Sequence, residues 1–163
     1  MIVVEKMTAE TVASVAALEK CCFSTPWSEK QIAEELENEW ALWVVARCDD
    51  AFAGYLGIQY GPDGADIMNI ATVPKLRNRG VASALLADMF VRLDALGLAW
   101  LTLEVRASNE AAIRLYEQHG FARVGLRKNY YTRPREDAIL MTAYRKANTI
   151  AETEKKTNAD PWN

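Results

Sequence analysis

Hydrophobic and polar residues follow two periods along this chain, which divide it into predicted strands and helices. β-Branched residues at 2–6 predict an opening strand, and the helical spacing after Thr8 predicts a helix that Thr8 caps. Ser28, with Gln31 three positions later, is typical of a capping box. We therefore expect a second helix over about residues 28–38.

The middle of the chain contains three apolar runs separated by turn residues. The runs at 41–47 and 51–60 flank a short polar stretch at 48–50, which is typical of a hairpin. The Gly-Pro-Asp-Gly turn at 61–64 predicts that a third antiparallel strand follows over about residues 65–73.

A long helix and a regularly alternating strand come next. Apolar residues separated by four, four, four and three positions from Val81 to Leu96 predict a helix that ends at Gly97. Residues 100–106 alternate between apolar and polar, which predicts a strand with Glu104 on the face opposite its leucines. A helix of this length can connect two parallel strands.

The last part of the chain is predicted to contain a helix and two strands. Ser108 or Asn109 caps the helix, and Gly120 ends it. Strands are expected over about residues 121–131 and 137–144.

The order of these elements predicts an α+β fold. It is a mixed sheet of about seven mostly antiparallel strands, with helices on both faces. We expect a single domain over residues 1–145. Residues 146–163 are polar and are expected to form a flexible tail.

Composition restricts the possible functions. A net charge of -3 argues against broad binding to nucleic acid or to an anionic membrane. The three cysteines lack the spacing of metal ligands and fit a reducing compartment, and no apolar run is long enough to span a membrane. We therefore expect a cytoplasmic protein without a metal, and a monomer or weak dimer.

A glycine-containing turn at 77–82 separates the predicted strand at 65–73 from the helix that begins at Val81. Such a turn directs backbone N–H groups and the positive end of the helix dipole at one place, which favours phosphate. Its Arg-x-x-Gly-x-Ala pattern matches neither of the two common phosphate loops and is weak by itself. Without other motifs, Gly80 is equally well explained as a simple helix-entry glycine.

Several motifs together resemble the Gcn5-related N-acetyltransferases (GNAT). The turn matches that family's Arg/Gln-x-x-Gly-x-Gly/Ala coenzyme A loop, and the run at 103–109 is a much more specific match. Within the family, the chain resembles most the bacterial ribosomal-protein-alanine N-acetyltransferases. The stretches that carry this resemblance lie at 26–30, 69–71, 103–109, 115–116, 129–131 and 136–138. Thr72 and Val73 depart from that group, which often has a valine followed by an acid.

The resemblance implies that acetyl-CoA is the co-substrate. In the family, the strands that correspond to 65–73 and 100–106 form a central splayed parallel pair, usually with a bulge, and the pantetheine arm lies between them. Backbone groups of Ile70, Ala71 and Thr72 are then expected to hold the acetyl carbonyl and the arm. The amide of Asn109 is expected to contact the arm, although a plain helix cap explains it equally. The residues expected to bind the pyrophosphate are Arg77, Asn78, Arg79, Gly80, Val81 and Ala82.

The resemblance also implies direct acetyl transfer, with Glu104 as general base, directly or through water, and Tyr116 as general acid. An α-amine with a pKa of about 7.7–8.0 is mostly protonated at neutral pH, so a base assists. A phenol with a pKa of about 10 stays protonated and can donate to the leaving thiolate. The residues alone favour other roles, namely Glu104 as a salt-bridge partner for Arg106 or a helix, and Tyr116 as a core residue.

The expected acceptor is the N-terminal α-amine of a protein, namely the N-terminal alanine of a ribosomal protein. Trp27, Tyr130 and Tyr131 are expected to line its binding site. The alternatives are the same chemistry on a lysine side chain or a small amine, and an acetyl-CoA-binding module without activity. A basic set is interpreted as a solvated edge, with steering of an acidic partner as the alternative: Arg123, Arg127, Lys128, Arg133 and Arg135.

Overall fold

The computed structural model describes residues 1–145, and the predicted tail at 146–163 lies outside them. In chain order the elements are β1 (Ile2–Lys6), α1 (Val12–Cys22), α2 (Glu29–Glu35), β2 (Ala41–Cys48), β3 (Ala51–Tyr60), β4 (Gly64–Thr72), α3 (Val81–Ala95), β5 (Trp100–Arg106), α4 (Glu110–Gln118), β6 (Ala122–Thr132) and β7 (Arg135–Tyr144). A short 3-10 helix, Pro74–Leu76, lies between β4 and α3.

All seven strands form one sheet in the order β1-β2-β3-β4-β5-β7-β6. Every neighbouring pair is antiparallel except β4 and β5, which run parallel and are connected through α3. The prediction of a mixed, mostly antiparallel sheet is therefore confirmed.

The helices form a layer on each face of the sheet. One core contains residues of α3 and α4, and the other contains residues of α1 and α2. In β2, Val44 and Ala46 belong to the first core, whereas Trp43 and Val45 belong to the second. Because the central strands are covered on both faces, they are apolar at consecutive positions.

The two layers cover different parts of the sheet. Within the described residues, the buried core under α1 and α2 contains side chains of β2, β3 and β4, but none of β5, β6 or β7. The polar face of β5 is consequently left uncovered. Glu104 lies on that face, opposite the buried Leu103 and Val105.

The start of α2 confirms one predicted cap, and the start of α1 corrects another. Ser28 Oγ accepts a hydrogen bond from Gln31 N (3.1 Å), and Gln31 Oε1 accepts one from Ser28 N (2.9 Å). The prediction that Thr8 caps α1 was wrong, because the N-cap is Thr11. Met7 N still donates to Trp43 O of β2 (2.9 Å). Because the chain is paired with β2 as far as Met7, a helix cannot begin at Thr8.

Two other predicted boundaries also shift. Helix α2 ends at Glu35 rather than near Asn38. The Asn38 side chain donates to Glu35 Oε2 (3.0 Å) and accepts from Trp40 N (2.9 Å), which favours a turn there. Strand β7 begins at Arg135, two residues earlier than expected, because Arg135 already pairs with Thr132 of β6.

Candidate active site

A gap in the sheet between β4 and β5 is the central feature of the site. The two parallel strands pair only at their beginnings, where Asp66 is opposite Thr102. Beyond this point their ladder stops, although β4 continues to Thr72 and β5 to Arg106. The expected splay is present. On the side of the gap, the backbone groups of both strands have no partner strand within residues 1–145.

A β-bulge in β4 accompanies the separation. Gly57 of β3 pairs with Asn69, and the next residue, Ile58, pairs with Ile67. Met68 is therefore the extra residue, and a bulge bends its strand and increases its twist. The bulge lies just after the last residue that pairs with β5, so it turns β4 away from β5.

The predicted phosphate turn leads from the far end of β4 into α3. Asn78 has φ +63° and Gly80 has φ +84°, both in the left-handed region. The first hydrogen bond at the start of α3 joins Ala84 N to Gly80 O (2.9 Å). The amides that come before Ala84 in this first turn therefore have no acceptor within the helix. A Cβ on Gly80 would meet no protein atom within 4 Å, which shows that the space in front of this backbone is open.

A cavity of about 660 Å³ opens at the bulge and extends through the gap. Its walls come from the segment between α1 and α2, from β4 and β5, and from the β6–β7 hairpin. Of the predicted site residues, the cavity lining includes Trp27, Ile70, Glu104, Asn109, Tyr116, Tyr130 and Tyr131. The structure thus brings together residues that lie as far apart in the chain as Trp27 and Tyr131.

The other predicted donor residues lie outside this lining. Ala71 is buried under α1, and Thr72 is half-buried at the end of β4. The turn at 77–82 follows Thr72 and the short 3-10 helix in the chain. Val73 N donates to Ala53 O (2.8 Å), and backbone groups alternate in direction along a strand. Those of Thr72 therefore face the gap, whereas those of Ala71 face Tyr55 of β3.

Glu104 lies in the wall of the cavity with its side chain 26% exposed. Arg127 Nε is 3.2 Å from Glu104 Oε1, whereas Arg106 pairs with Glu136 (3.4 Å). Arg127 is 55% exposed on β6, the edge strand, as the interpretation of a solvated edge expected, and it also pairs with Glu104. The sequence pattern did not indicate this pair, because it depends on the pairing of β5 with β7 and of β7 with β6, which carries Arg127 over the polar face of β5.

The Glu104 carboxylate also raises the pKa of nearby acidic side chains. Burial, and then the charge of Glu104, raise the pKa of Asp66 above its ordinary value. A hydrogen bond to Glu104, and then burial, raise the pKa of Tyr130. Burial, followed by the charge of Glu104, raises the pKa of Tyr131 to about 12. Both tyrosines consequently keep their protons at neutral pH and can donate hydrogen bonds into the cavity.

Tyr131 is held in place by Arg106. The Arg106 guanidinium lies 4.2 Å from the centre of the Tyr131 ring, and it donates to Pro134 O (2.9 Å) and Arg133 O (3.0 Å). One arginine of β5 thus fixes both the ring and the tip of the β6–β7 hairpin that forms one end of the cavity.

Tyr116 reaches the cavity from the other face of the sheet. It is 7% exposed and belongs to the core under α3 and α4, where its ring packs edge-on against Phe121 (5.6 Å). Burial, reinforced by the charge of Tyr131, raises the pKa of its phenol well above the usual range, so it stays protonated. Tyr116 and Glu104 meet at one cavity because the strands between them have separated.

Asn109 combines the two roles that the sequence left open. Its side-chain oxygen accepts from Ala112 N (3.2 Å) as the N-cap of α4, and the residue also lines the cavity. The cap leaves its amide NH₂ group as a donor at the cavity wall.

Residues that sequence patterns did not indicate complete the site. The segment from Cys22 to Thr25 forms part of the wall, and buried Glu19 lies behind it. Glu19 occupies a helical position among apolar residues, and this position alone does not predict its contacts with Tyr55 and Asn69.

Neither a metal cluster nor a membrane span was found in the part of the chain that the structure describes. Residues 1–145 contain no group of His, Cys, Asp and Glu that could hold a metal ion. No helix of this part combines the length and the apolar character needed to cross a membrane.

Comparison with known proteins identifies the family of this chain. Residues 12–121 match the acetyltransferase (GNAT) family. The chain is 37% identical over 139 residues to the putative [ribosomal protein bS18]-alanine N-acetyltransferase of Bacillus subtilis (strain 168), covering 85% of this chain and 92% of the relative. It is 39% identical over 126 residues to the [ribosomal protein bS18]-alanine N-acetyltransferase of Escherichia coli (strain K12), covering 76% and 84%. The crystal structure of the ribosomal-protein-S18-alanine N-acetyltransferase from Escherichia coli matches with a TM-score of 0.81 at 36% identity, covering 88% of this chain and 94% of that one.

Proposed function

Because the chain belongs to the acetyltransferase (GNAT) family, we propose that it acetylates the N-terminal α-amine of a protein with acetyl-CoA. The proposed acceptor is the N-terminal alanine of a ribosomal protein, bS18 being the one in the relatives' names. Identities of 37% and 39% over most of both chains support this choice of acceptor.

The fit of acetyl-CoA is supported by the backbone of the gap and of the turn. Acetyl-CoA supplies the acetyl group as an activated thioester. Backbone groups of Ile70 and Thr72 lie on the edge of β4 that faces the gap, where they can bind an extended arm as a neighbouring strand would, whereas those of Ala71 face Tyr55 of β3. The amides that begin α3, together with the open space at Gly80, suit a pyrophosphate.

In the proposed reaction, Glu104 takes a proton from the acceptor ammonium, directly or through a water. The amine nitrogen can then form a bond to the thioester carbonyl carbon, and the carbon–sulfur bond breaks as the nitrogen loses a second proton to water. Glu104 afterwards releases its own proton to solvent. Tyr116 gives its phenolic proton to the departing thiolate and regains one from solvent. No covalent enzyme intermediate is needed.

The acceptor is proposed to enter on the side of Trp27 and the β6–β7 hairpin. Tyr130, Tyr131 and Trp27 all line the cavity, and the peptide N-terminus is proposed to bind among them. The observation that carries the proposal is that Glu104 and Tyr116, from opposite faces of the sheet, line the same cavity where β4 and β5 separate.

Mass spectrometry after incubation with acetyl-CoA tests the acceptor. The panel contains a peptide that begins with alanine and has an internal lysine, the same peptide with a formylated N-terminus, free lysine and a polyamine. We expect one acetyl group on the α-amine of the first peptide and none on the others. Acetylation of the formylated peptide or of the polyamine would favour lysine or a small amine as the acceptor instead.

A further inference from the structure

Glu19 is a buried acidic residue in the last turn of α1, just behind the cavity wall. Its side chain is completely buried, and within residues 1–145 no basic group forms an ion pair with it. Its carboxyl oxygens accept hydrogen bonds from Tyr55 Oη, from Asn69 Nδ2 (2.6 Å) and from Trp27 N (3.0 Å). A buried carboxyl group is tolerated only when such donors satisfy it, so the three donors are held around one point.

Two of these donors, Asn69 and Trp27, belong to different elements that line the cavity. Asn69 directly follows the bulged Met68 of β4, and both residues line the cavity beside the backbone of Ile70. Trp27 lines the cavity from the segment between α1 and α2. Glu19 does not line the cavity itself, so any effect on the reaction passes through these two partners.

The aromatic neighbours make this connection stiff. The Trp27 ring packs edge-on against Trp43 (5.4 Å), and Trp43 stacks on Tyr55 (5.8 Å). Tyr55 is fully buried in β3 and donates to Glu19. The carboxyl group and the aromatic stack therefore join α1, β3, β4 and the segment before α2 into one unit.

We infer that Glu19 is a positioning residue that sets the distance between the segment at 23–28 and the bulge of β4. Both elements line the cavity where the acceptor is proposed to enter, so Glu19 governs acceptor binding. The expected effect of Glu19 on acceptor kinetics rests on the proposed function. The connection that Glu19 makes between the two elements does not depend on that function.

Three variants separate positioning from other roles. Glu19→Ala removes all acceptors, whereas Glu19→Gln keeps the shape, because the Asn69 amide and the Tyr55 hydroxyl can exchange donor and acceptor roles. Glu35→Ala is the matched control. Glu35 is also buried and accepts from Gln59 (2.6 Å) and Asn38 (3.0 Å), but it does not line the cavity or touch its wall segment.

Kinetics with a peptide that begins with alanine are the first test. In Glu19→Ala we expect kcat/KM for the peptide to fall about a hundredfold, mainly through KM, because a displaced wall misplaces the amine. The Kd for acetyl-CoA and the shape of the pH–rate profile are expected to stay unchanged. Glu19→Gln should recover most of the loss, and Glu35→Ala should resemble the wild type. A wild-type peptide KM in Glu19→Ala, or a Glu19→Gln variant as impaired as Glu19→Ala, would overturn the inference.

Hydrogen exchange is the second test and needs no acceptor. Amides of residues 23–28 should exchange faster in Glu19→Ala than in the wild type, and at the wild-type rate in Glu35→Ala. Unchanged exchange in Glu19→Ala refutes the positioning role. A wild-type protein that acetylates no peptide in the panel refutes the proposed function, while the exchange result still decides the role of Glu19.

Discussion

At the scale of single residues, Glu104 shows how a catalytic candidate arises from ordinary strand alternation. The alternation in β5 places Leu103 and Val105 in the core and directs Glu104 to the other face. That face is left uncovered by α1 and α2, and Arg127 comes within 3.2 Å of the carboxylate. Alternation predicted the face, whereas the identity of the ion-pair partner depended on the order of β5, β7 and β6.

Replacing Glu104 with Gln should slow transfer most where the acceptor amine is protonated. We expect kcat/KM to fall by about 10²- to 10⁴-fold at neutral pH, because a general base is lost, and by less above the amine pKa of about 8. Steady-state rates between about pH 6 and pH 9 measure this. The Kd for acetyl-CoA should be unchanged, and Glu117→Gln on the outer surface of α4 is the control. Wild-type rates across the whole range would remove Glu104 from the mechanism.

Tyr116→Phe tests the proposed acid. Burial raises the pKa of the Tyr116 phenol, so its proton is present throughout the neutral range and is available to the thiolate. Without it we expect kcat to fall about a hundredfold, at the lower end of general acid catalysis, with acetyl-CoA binding retained. Tyr144→Phe, at an exposed tyrosine, controls for loss of a phenol elsewhere. If turnover of Tyr116→Phe equals that of the wild type, Tyr116 is a core residue only.

At the scale of elements, the clearest predictions concerned patterns that are local. The alternation over 100–106 predicted β5 with the bounds that the structure has, and the Ser28–Gln31 pair predicted the start of α2. The GNAT fold that these elements form is confirmed by the family match and by the Escherichia coli structure. The start of α1 was missed because pairing of Met7 with β2 is a contact between distant parts of the chain.

The turn before α3 can be tested with two glycines in the same backbone region. Gly80 begins α3 with φ +84°, Gly97 follows it with φ +70°, and a Cβ on either would meet no protein atom within 4 Å. Alanine at each site should cost about 1–2 kcal/mol of stability, because L-residues disfavour the left-handed region. Only Gly80→Ala should also weaken acetyl-CoA binding, by about tenfold or about 1.4 kcal/mol.

Urea denaturation and calorimetric titration with acetyl-CoA measure the two effects separately. Equal Kd values for Gly80→Ala and Gly97→Ala would contradict the assignment of the turn to the pyrophosphate. Equal losses of stability alone would show only that both positions require glycine.

At the scale of the whole molecule, the last described residue joins the end of the sheet to the helix that carries the turn. Arg145 follows β7 and donates two hydrogen bonds to Asp94 of α3, at 2.9 Å and 2.8 Å. Its guanidinium also lies 4.3 Å from the centre of the Phe90 ring. The hydrogen bonds from Arg145 hold the pKa of the Asp94 carboxyl below its ordinary value.

This pair predicts a stability contribution that depends on pH. Since the folded pKa of Asp94 lies below the unfolded value of about 3.9, the contribution is present above pH 4 and disappears as pH falls through the folded pKa. Arg145→Met keeps the contact with Phe90 and removes the hydrogen bonds. We expect it to lower the free energy of unfolding by about 0.2–1 kcal/mol at pH 7, because the pair is partly exposed, and not at pH about 2.

Urea denaturation of both proteins at the two pH values is the measurement. The control is Arg123→Met, which removes the exposed pair with Glu117 at 3.7 Å and should change little at either pH. A loss that is equal at both pH values would mean that Arg145 acts through packing rather than through Asp94.

The sequence by itself determined the order of the elements, the mixed sheet, the glycine turn before α3 and the face on which Glu104 lies. These properties depend on periodicity and on caps within a few residues. At that range, local backbone preferences decide which secondary structure forms. Only the tertiary structure decided that β4 bends away at Met68, that Arg127 pairs with Glu104, and that buried Glu19 joins Trp27 to Asn69. Such contacts connect residues far apart in the chain, and they form only because packing of two helical layers on one sheet brings those residues together.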